Sequence, residues 1–416
     1  MVTVIGLGFV GLTTALGFAE LGNQVCGQEV SAQRRNMLQS GKIDFQEEML
    51  PELLQKHLGH SFLLGPSLGE AVASSELVFL CVGTPCQNDG AVDLTQLTTA
   101  VKEIMAVLPD DGMFRVLVVK STVPPGTCRD VVEPMIRAMG IGPERISVAS
   151  NPEFLREGHC WEDFVDPGKI VIGVNDSRAE KKLRALYAGV NAPLHVLTQN
   201  GAEFSKYLSN VMLASMISLS NEFAAAAESF GDIDVKGVFR ALHDDKRLKN
   251  SGIASYLYPG CGFGGYCLPK DTRAFYAALE KTGYHSMLVN EVLAINERAA
   301  ERLCRKVLES TDVRQPIGIL GLSFKPGSDD VRDTPAARII TKLMKGGAER
   351  ILAYDPLAIP SFKRAYPDLQ IGFAESAEEL LSACGTVVVV TAWEEFRTLD
   401  YTGKTLFDGR YCVTDS

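Results

Sequence analysis

The beginning of the chain constrains its fold most. Residues 2–5 read as a short strand, the next six are Gly6-Leu7-Gly8-Phe9-Val10-Gly11, and a helical pattern continues to about residue 21. Glycines at this spacing arise by chance, but between a strand and a helix each has a physical role. Gly6 permits a tight turn, and Gly8 lets a pyrophosphate approach the backbone. Gly11 allows close packing of helix on strand, with the helix N-terminus facing the phosphates. A second strand is expected over 24–29, ending at Glu29. An acid at that point can hydrogen-bond the adenosine ribose hydroxyls and repels a 2′-phosphate, so NAD is the expected cofactor. Arg34 and Arg35 just beyond leave NADP as the alternative.

The alternation continues. Apolar runs at 77–82, 116–119, 146–149 and 170–172 are separated by helix-like stretches, the pattern of a parallel doubly wound sheet. From 198 to about 230 the chain becomes rich in Ala, Leu and Met with few breakers (AEFSKYLSNVMLASMISLSNEFAAAAESF from Ala202), which predicts one long helix. The glycine-rich loop PGCGFGGYCLPKD follows from Pro259, then more helix to about 308. Strands at 317–320, 351–354 and 386–391 and a helix at 335–345 restart the α/β pattern. The expected fold is α/β, with two Rossmann-like domains of parallel sheets joined by a long central helix. The spare apolar face of that helix can pair with a second subunit.

At 416 residues the chain exceeds what one core usually serves, consistent with two or three domains. A net charge of −10 argues against a nucleic-acid partner but not against a phosphate ligand, which backbone amides can bind. No apolar run approaches membrane-spanning length, and Met1 leads straight into a strand without a targeting segment, so no membrane association and a cytoplasmic location are expected.

The ten cysteines are scattered and form no CxxC pair, so reduced thiols without a zinc site are expected. A lone cysteine is usually a small buried hydrophobe. Cys267 is set apart by its glycine-flanked surroundings, which let a substrate reach the sulfur, and by Lys270 and Asp271 beside it.

In order, GLGFVG from Gly6, VGTP from Val82 with Asp93-Leu94, KSTVPPGT from Lys120, NPEFLREG from Asn151 and AEFSKYLSN from Ala202 resemble the UDP-glucose/GDP-mannose dehydrogenase family. So do Asn221-Glu222, GFGGYCLPKD from Gly262, GLSFKPGSDDVRDTP from Gly321, YDP from Tyr354 and FDGR from Phe407. The likeness spans essentially the whole chain.

The resemblance implies an NAD-binding domain at 1–197, a helical dimerisation domain with the cysteine loop at 198–310, and a sugar-nucleotide domain at 311–416. It implies a homodimer or higher homo-oligomer and a four-electron oxidation of a UDP-sugar (or GDP-sugar) C6 alcohol to the uronic acid, consuming two NAD. Cys267 matches the nucleophile: attack on the aldehyde gives a thiohemiacetal, a second hydride leaves a thioester, and water hydrolyses it. Lys206 and Asn210, one helical turn apart, match the pair that stabilises the developing oxyanion. Asp271, Glu153 and Thr122 match positions that hold and activate water or take the C6 hydroxyl proton, and either carboxylate fits either step. Gly6, Gly8, Phe9, Val10, Gly11, Glu29, Arg34, Thr84, Pro85, Thr122, Glu157 and Arg332 match the cofactor site. Phe154, Leu155, Lys206, Asn210, Arg247, Tyr256, Phe263, Gly264, Phe324, Lys325 and Arg410 match the substrate site, and no metal is implied.

Three departures stand out. Glu29 replaces the family's usual Asp, Pro167-Gly168-Lys169 replaces a proline–acid–arginine block, and the stretch at 245–253 around Arg247 is longer than in typical UDP-glucose enzymes. Tyr256-Leu257 and Pro259-Gly260 are similar to the GDP-mannose branch. UDP-glucose is the first expectation for the substrate, with GDP-mannose and UDP-N-acetylhexosamines as alternatives. Two other readings compete: a two-electron hydroxyacid-type dehydrogenase, which needs neither Cys267 nor a second α/β domain, and a non-catalytic nucleotide-sugar-binding protein.

Overall fold

The protein is described by a computed structural model covering residues 1–45, 47–65, 67–248 and 252–413. It divides into two compact units, Met1–Leu208 and Ser209–Ser416.

The first unit is built on eight strands: β1 (Val2–Ile5), β2 (Val25–Gln28), β3 (Phe62–Leu64), β4 (Leu77–Leu80), β5 (Arg115–Val119), β6 (Ile146–Ser150), β7 (Ile170–Gly173) and β8 (Leu194–Leu197). Their order in the sheet is β3-β2-β1-β4-β5-β6-β7-β8. Every residue of β1, β4 and β5 is buried, because helices cover both faces of the sheet. The pairs are parallel except one: β6 meets β7 antiparallel, at the single register Ser150↔Gly173. The sheet is otherwise parallel, as expected. Between those strands the chain carries the six-residue helix Cys160–Val165. That is about 9 Å long, too little to run back along the sheet as a crossover helix.

The second unit repeats the pattern with β9 (Ile317–Leu320), β10 (Ile351–Tyr354), β11 (Gly372–Phe373), β12 (Thr386–Val389) and β13 (Thr405–Asp408), in the order β11-β10-β9-β12-β13 and parallel throughout. Even the first turn is repeated. Gly6 N donates to Gln28 O and Leu7 N to the Glu29 carboxylate; Gly321 N donates to Tyr354 O and Leu322 N to the Asp355 carboxylate.

The long helix predicted at 198–230 is Gln199–Phe230, thirty-two residues. It stops at Gly231, whose φ of +71° suits glycine and ends the helical hydrogen-bond run. The glycine loop leads into the helix Cys267–Thr282, closed by Gly283 at φ +82°. Among the described residues no helix is long and apolar enough to cross a membrane.

Candidate active site

In the first unit Gly6 and Gly11 have the two backbone properties their sequence implied. Gly6 sits at φ +84°, open to glycine at little cost. A Cβ on Gly11 would lie 1.7 Å from Gly6 O, so the helix packs against the turn only because no side chain intervenes. A Cβ on Gly8 would meet nothing nearer than the Arg34 guanidinium at 4.0 Å. Nothing inside the protein requires glycine at position 8, which leaves close approach of a ligand as its physical use.

The Glu29 carboxylate accepts from Leu7 N at 3.0 Å and Ser31 N at 2.9 Å, which fixes it at the tip of β2 beside this turn. Arg34 is held by Asp44 at 2.9 Å, and Phe9 packs edge-on against Phe45 at the helix start beside Val10. At the ends of β4 and β5, Thr84 Oγ1 donates to Thr122 O at 2.8 Å and Ser121 Oγ to Val82 O at 2.6 Å; Pro85 beside Thr84 is exposed. These loops meet at the carboxyl ends of central parallel strands, where nucleotide ligands bind such sheets. The arrangement fits NAD, whose ribose Glu29 would hold and whose pyrophosphate would face Gly8.

Beside this cradle lies a buried ion pair. Lys206 Nζ is 2.7 Å from Glu153 Oε1, with 4% and 8% of the two side chains exposed. Burial by itself would raise the Glu153 carboxyl, but the charge and hydrogen bond of Lys206, the Leu155 N–H at 2.6 Å and the charge of Lys120 hold it below its ordinary range. Phe154 lies under two ammonium groups, Lys169 at 4.3 Å and Lys206 at 5.6 Å from its ring centre. Glu157, further along the same loop, is half-buried.

In the second unit Asp271 is fully buried. Its Oδ2 accepts from Asn210 Nδ2 at 2.6 Å and its Oδ1 from Lys270 Nζ at 2.5 Å. Burial works to lower the Lys270 ammonium, but the charge and hydrogen bond of Asp271 raise it, aided by Tyr266 and Cys267. Cys267 opens its helix and is exposed, whereas the other nine cysteines are buried or partly buried. The Tyr266 ring, just before it, stacks under the Arg332 guanidinium at 4.5 Å, and Gly265 N donates to Arg332 O at 3.0 Å. Arg332 thus reaches the cysteine loop. Gly264 is pressed against Asp333 and Pro335, where a Cβ would come within 2.5 Å of a backbone oxygen. Half-buried Phe324 lies against Gly265, with the Lys325 ammonium 5.6 Å from its ring.

Three further residues of the expected substrate site make contacts within the chain. The Phe263 side chain packs in a small core with Ala214 and Val292, and Asn296 takes both its backbone N–H and C=O. Arg410 spends its guanidinium on Val390 O at 2.6 Å and Gly262 O at 3.5 Å, bracing the glycine loop. Arg247 is 87% exposed and folds onto Asp245 two residues back, where a short turn makes that carboxylate its nearest anion. Tyr256 is half-buried in the turn after Ile253–Ser255, while Lys249, Asn250 and Ser251 of the same stretch lie outside the described residues. Sequence reading overlooked Lys120, Asn151 and Tyr187, which form a buried cluster, and Tyr266; the only available signal was that Lys120 and Asn151 each open a recognised block.

The chain matches the UDP-glucose/GDP-mannose dehydrogenase family in three consecutive parts: its NAD binding domain over residues 1–191, its central domain over 200–298 and its UDP binding domain over 318–415. It is 36% identical over 413 residues to a UDP-glucose 6-dehydrogenase of Pseudomonas aeruginosa, covering 96% of this chain and 89% of that one. A UDP-glucose 6-dehydrogenase of Haloferax volcanii is 34% identical, covering 99% and 97%. The solved structure of a UDP-glucose dehydrogenase from Pyrobaculum islandicum superposes with a TM-score of 0.91 at 37% identity, covering 99% of this chain and 94% of the other. The protein is an NAD-dependent oxidoreductase and belongs to the UDP-glucose/GDP-mannose dehydrogenase family.

Proposed function

We propose that the protein oxidises the C6 alcohol of UDP-glucose to the carboxylate of UDP-glucuronate, with GDP-mannose and UDP-N-acetylhexosamines as the alternative substrates. The observation that carries this reading is, in the second unit, the exposed Cys267 at a helix start, one turn before the buried Asp271 carboxylate that Lys270 and Asn210 hold. Each NAD, when bound, would accept one hydride, so two are consumed in turn.

A carboxylate, Glu153 or Asp271, receives the proton of the C6 hydroxyl as the first hydride leaves, with Thr122 holding the water or hydroxyl in line. The Cys267 thiolate then adds to the aldehyde carbon. The alkoxide so formed is stabilised by the Lys206 ammonium and the Asn210 amide, which the long helix holds rigidly. Loss of the second hydride leaves a Cys267 thioester, and water attacks it to give the carboxylate and return the thiol. In this reading 1–197 serves the cofactor, 198–310 the chemistry and subunit pairing, and 311–416 the nucleotide. Phe324 and Lys325 contact the sugar nucleotide, and Glu157 and Arg332 lie near the cofactor. The protein acts in the cytoplasm as a homodimer or higher homo-oligomer.

Counting NADH per sugar nucleotide consumed, over a panel of purified UDP- and GDP-sugars, tests the reading. Two per substrate is expected with UDP-glucose. One per substrate indicates a simple alcohol dehydrogenase, and none with any sugar leaves only a binding protein.

A further inference from the structure

Lys120 is a buried cation that the mechanism above leaves without a role. It directly follows β5, and its Nζ donates to Asn151 Oδ1 at 3.2 Å. The Tyr187 hydroxyl donates to the same oxygen at 2.6 Å, and Asn151 Nδ2 donates to Val171 O at 2.8 Å. These bonds occur where β6 and β7 meet through a single register, so the Asn151 side chain supplies a link that the strand ladder does not. Asn151 stands two residues before Glu153, and Pro152 between them has a fixed φ, so whatever holds Asn151 aims Glu153. Lys120 stands two residues before Thr122. One ammonium therefore ties together the two loops that carry proposed proton-handling side chains. Lys120 and Glu153 also line one cavity of about 310 Å3, together with Asn151, Asp163, Lys169 and Tyr187.

We propose that Lys120 is a positioning residue for Glu153: through Asn151 it aims the carboxylate at Lys206. The proposal rests on the reading of Glu153 as a group that handles protons.

The surrounding charges support it. Lys206 is paired with Glu153, and Lys120 adds its positive charge near the same buried carboxylate. Burial pushes Lys120 below the ordinary lysine range and Lys206 pushes it the same way, while Cys81 and Glu153 oppose them. Burial pushes the Cys81 thiol up to about 12, and it also pushes up the Tyr187 hydroxyl, so neither adds charge near neutral pH. Asp163 is paired with Arg156 at 2.7 Å, and Lys169, lowered first by burial, sits over Phe154. Removing the Lys120 charge takes away one influence that lowers Glu153, so the Glu153 carboxyl should rise and the acid limb of the pH–rate profile should move to higher pH.

The test compares Lys120→Met, Lys120→Gln, Asn151→Ala and Glu153→Gln by NADH formation from UDP-glucose across pH, with thermal melting as a check on folding. Both Lys120 variants should lose about tenfold or more in kcat, with KM for the sugar nucleotide changed less than about threefold and the acid limb moved up by roughly half a pH unit or more. Lys120→Gln can still donate to Asn151, so a shifted limb in that variant isolates the charge. Asn151→Ala keeps the charge and should lower kcat with the limb in place. An unmoved limb in both folded Lys120 variants overturns the proposal, as does wild-type kcat in Asn151→Ala. If Glu153→Gln retains the wild-type acid limb, the reading of Glu153 fails and the proposal fails with it. If Glu153→Gln abolishes the limb while the Lys120 variants leave it alone, only the role of Lys120 is lost.

Discussion

Lys206 and Glu153 form a buried ion pair at 2.7 Å, between the long helix and the loop that follows β6. Deleting one partner of such a pair leaves a buried charge unmatched, at a cost of about 3–5 kcal/mol. Lys206→Ala should therefore lower Tm as well as activity, and kcat should fall roughly a hundred- to a thousand-fold if Lys206 stabilises an oxyanion. Equilibrium binding of the sugar nucleotide should change far less. Collapse of binding with kcat intact would make Lys206 a binding residue.

The same pair sets a pH dependence. The Glu153 carboxyl is held below its ordinary value of 4.5, so the pair's stabilisation is complete above that value and is lost as pH falls through the lower, folded-state value. Melting curves on acidification from pH 4.5 should show the wild type losing Tm faster than Glu153→Gln, which has no carboxylate to protonate. Parallel loss in the two proteins would assign acid sensitivity to other carboxylates.

Glu29 is anchored by two backbone N–H groups at the tip of β2, so its charge cannot swing away from an incoming 2′-phosphate. NAD should be favoured over NADP by about tenfold or more in kcat/KM, since like charges placed together cost more than 1 kcal/mol or so and Arg34, 3.9 Å from Glu29, is itself held by Asp44. Glu29→Ser should narrow the gap. Equal use of both cofactors by the wild type would shift attention to Arg34 and Arg35.

The glycines of the first turn should separate experimentally. Gly11→Ala puts a methyl 1.7 Å from Gly6 O and should lower Tm markedly. Gly8→Ala meets nothing within 4.0 Å and should leave Tm nearly unchanged while weakening NAD binding. Calorimetry and NAD titration read the two effects; equal destabilisation by both substitutions would show that Gly8 is structural.

Phe204, Leu208, Met212, Leu219, Phe223 and Phe230 are exposed large apolar side chains of the long helix. Their spacings of four and seven place them on one stripe, which water disfavours and a second copy of the helix would cover. Sedimentation should show a dimer or larger assembly at micromolar protein, and Phe223→Asp should weaken it. A wild-type monomer would refute the homo-oligomer.

Cys267→Ser should divide the reaction. The first hydride transfer needs no sulfur, but serine without an adjacent base is a poor nucleophile and its ester hydrolyses more slowly than a thioester. The variant should stall, releasing traces of aldehyde or accumulating an acyl adduct visible by intact-protein mass spectrometry. Wild-type production of the uronate by Cys267→Ser would remove the thioester.

Sequence alone determined the interior of this fold. Residues 2–5 and 317–320 are short runs buried on both faces, as a parallel sheet covered by helices requires, and these and 351–354 are strands at the expected positions. The four strands it did not reveal, β3, β8, β11 and β13, are the four edges of the two sheets. These edge strands are two to four residues long and half-exposed, so their patterns are too short to stand out from the flanking loops. The glycine turn was equally legible, because Gly6 and Gly11 answer local backbone demands. Tertiary structure decided what depends on partners distant in sequence: that Lys206 is matched by Glu153 and Asn210 by Asp271, that Phe263 and Arg410 serve the protein's own packing, and that Lys120, Asn151 and Tyr187 meet at all. Buried charges take their meaning from the groups that compensate them, and those groups are brought together only when β5, β6 and the helices around them assemble.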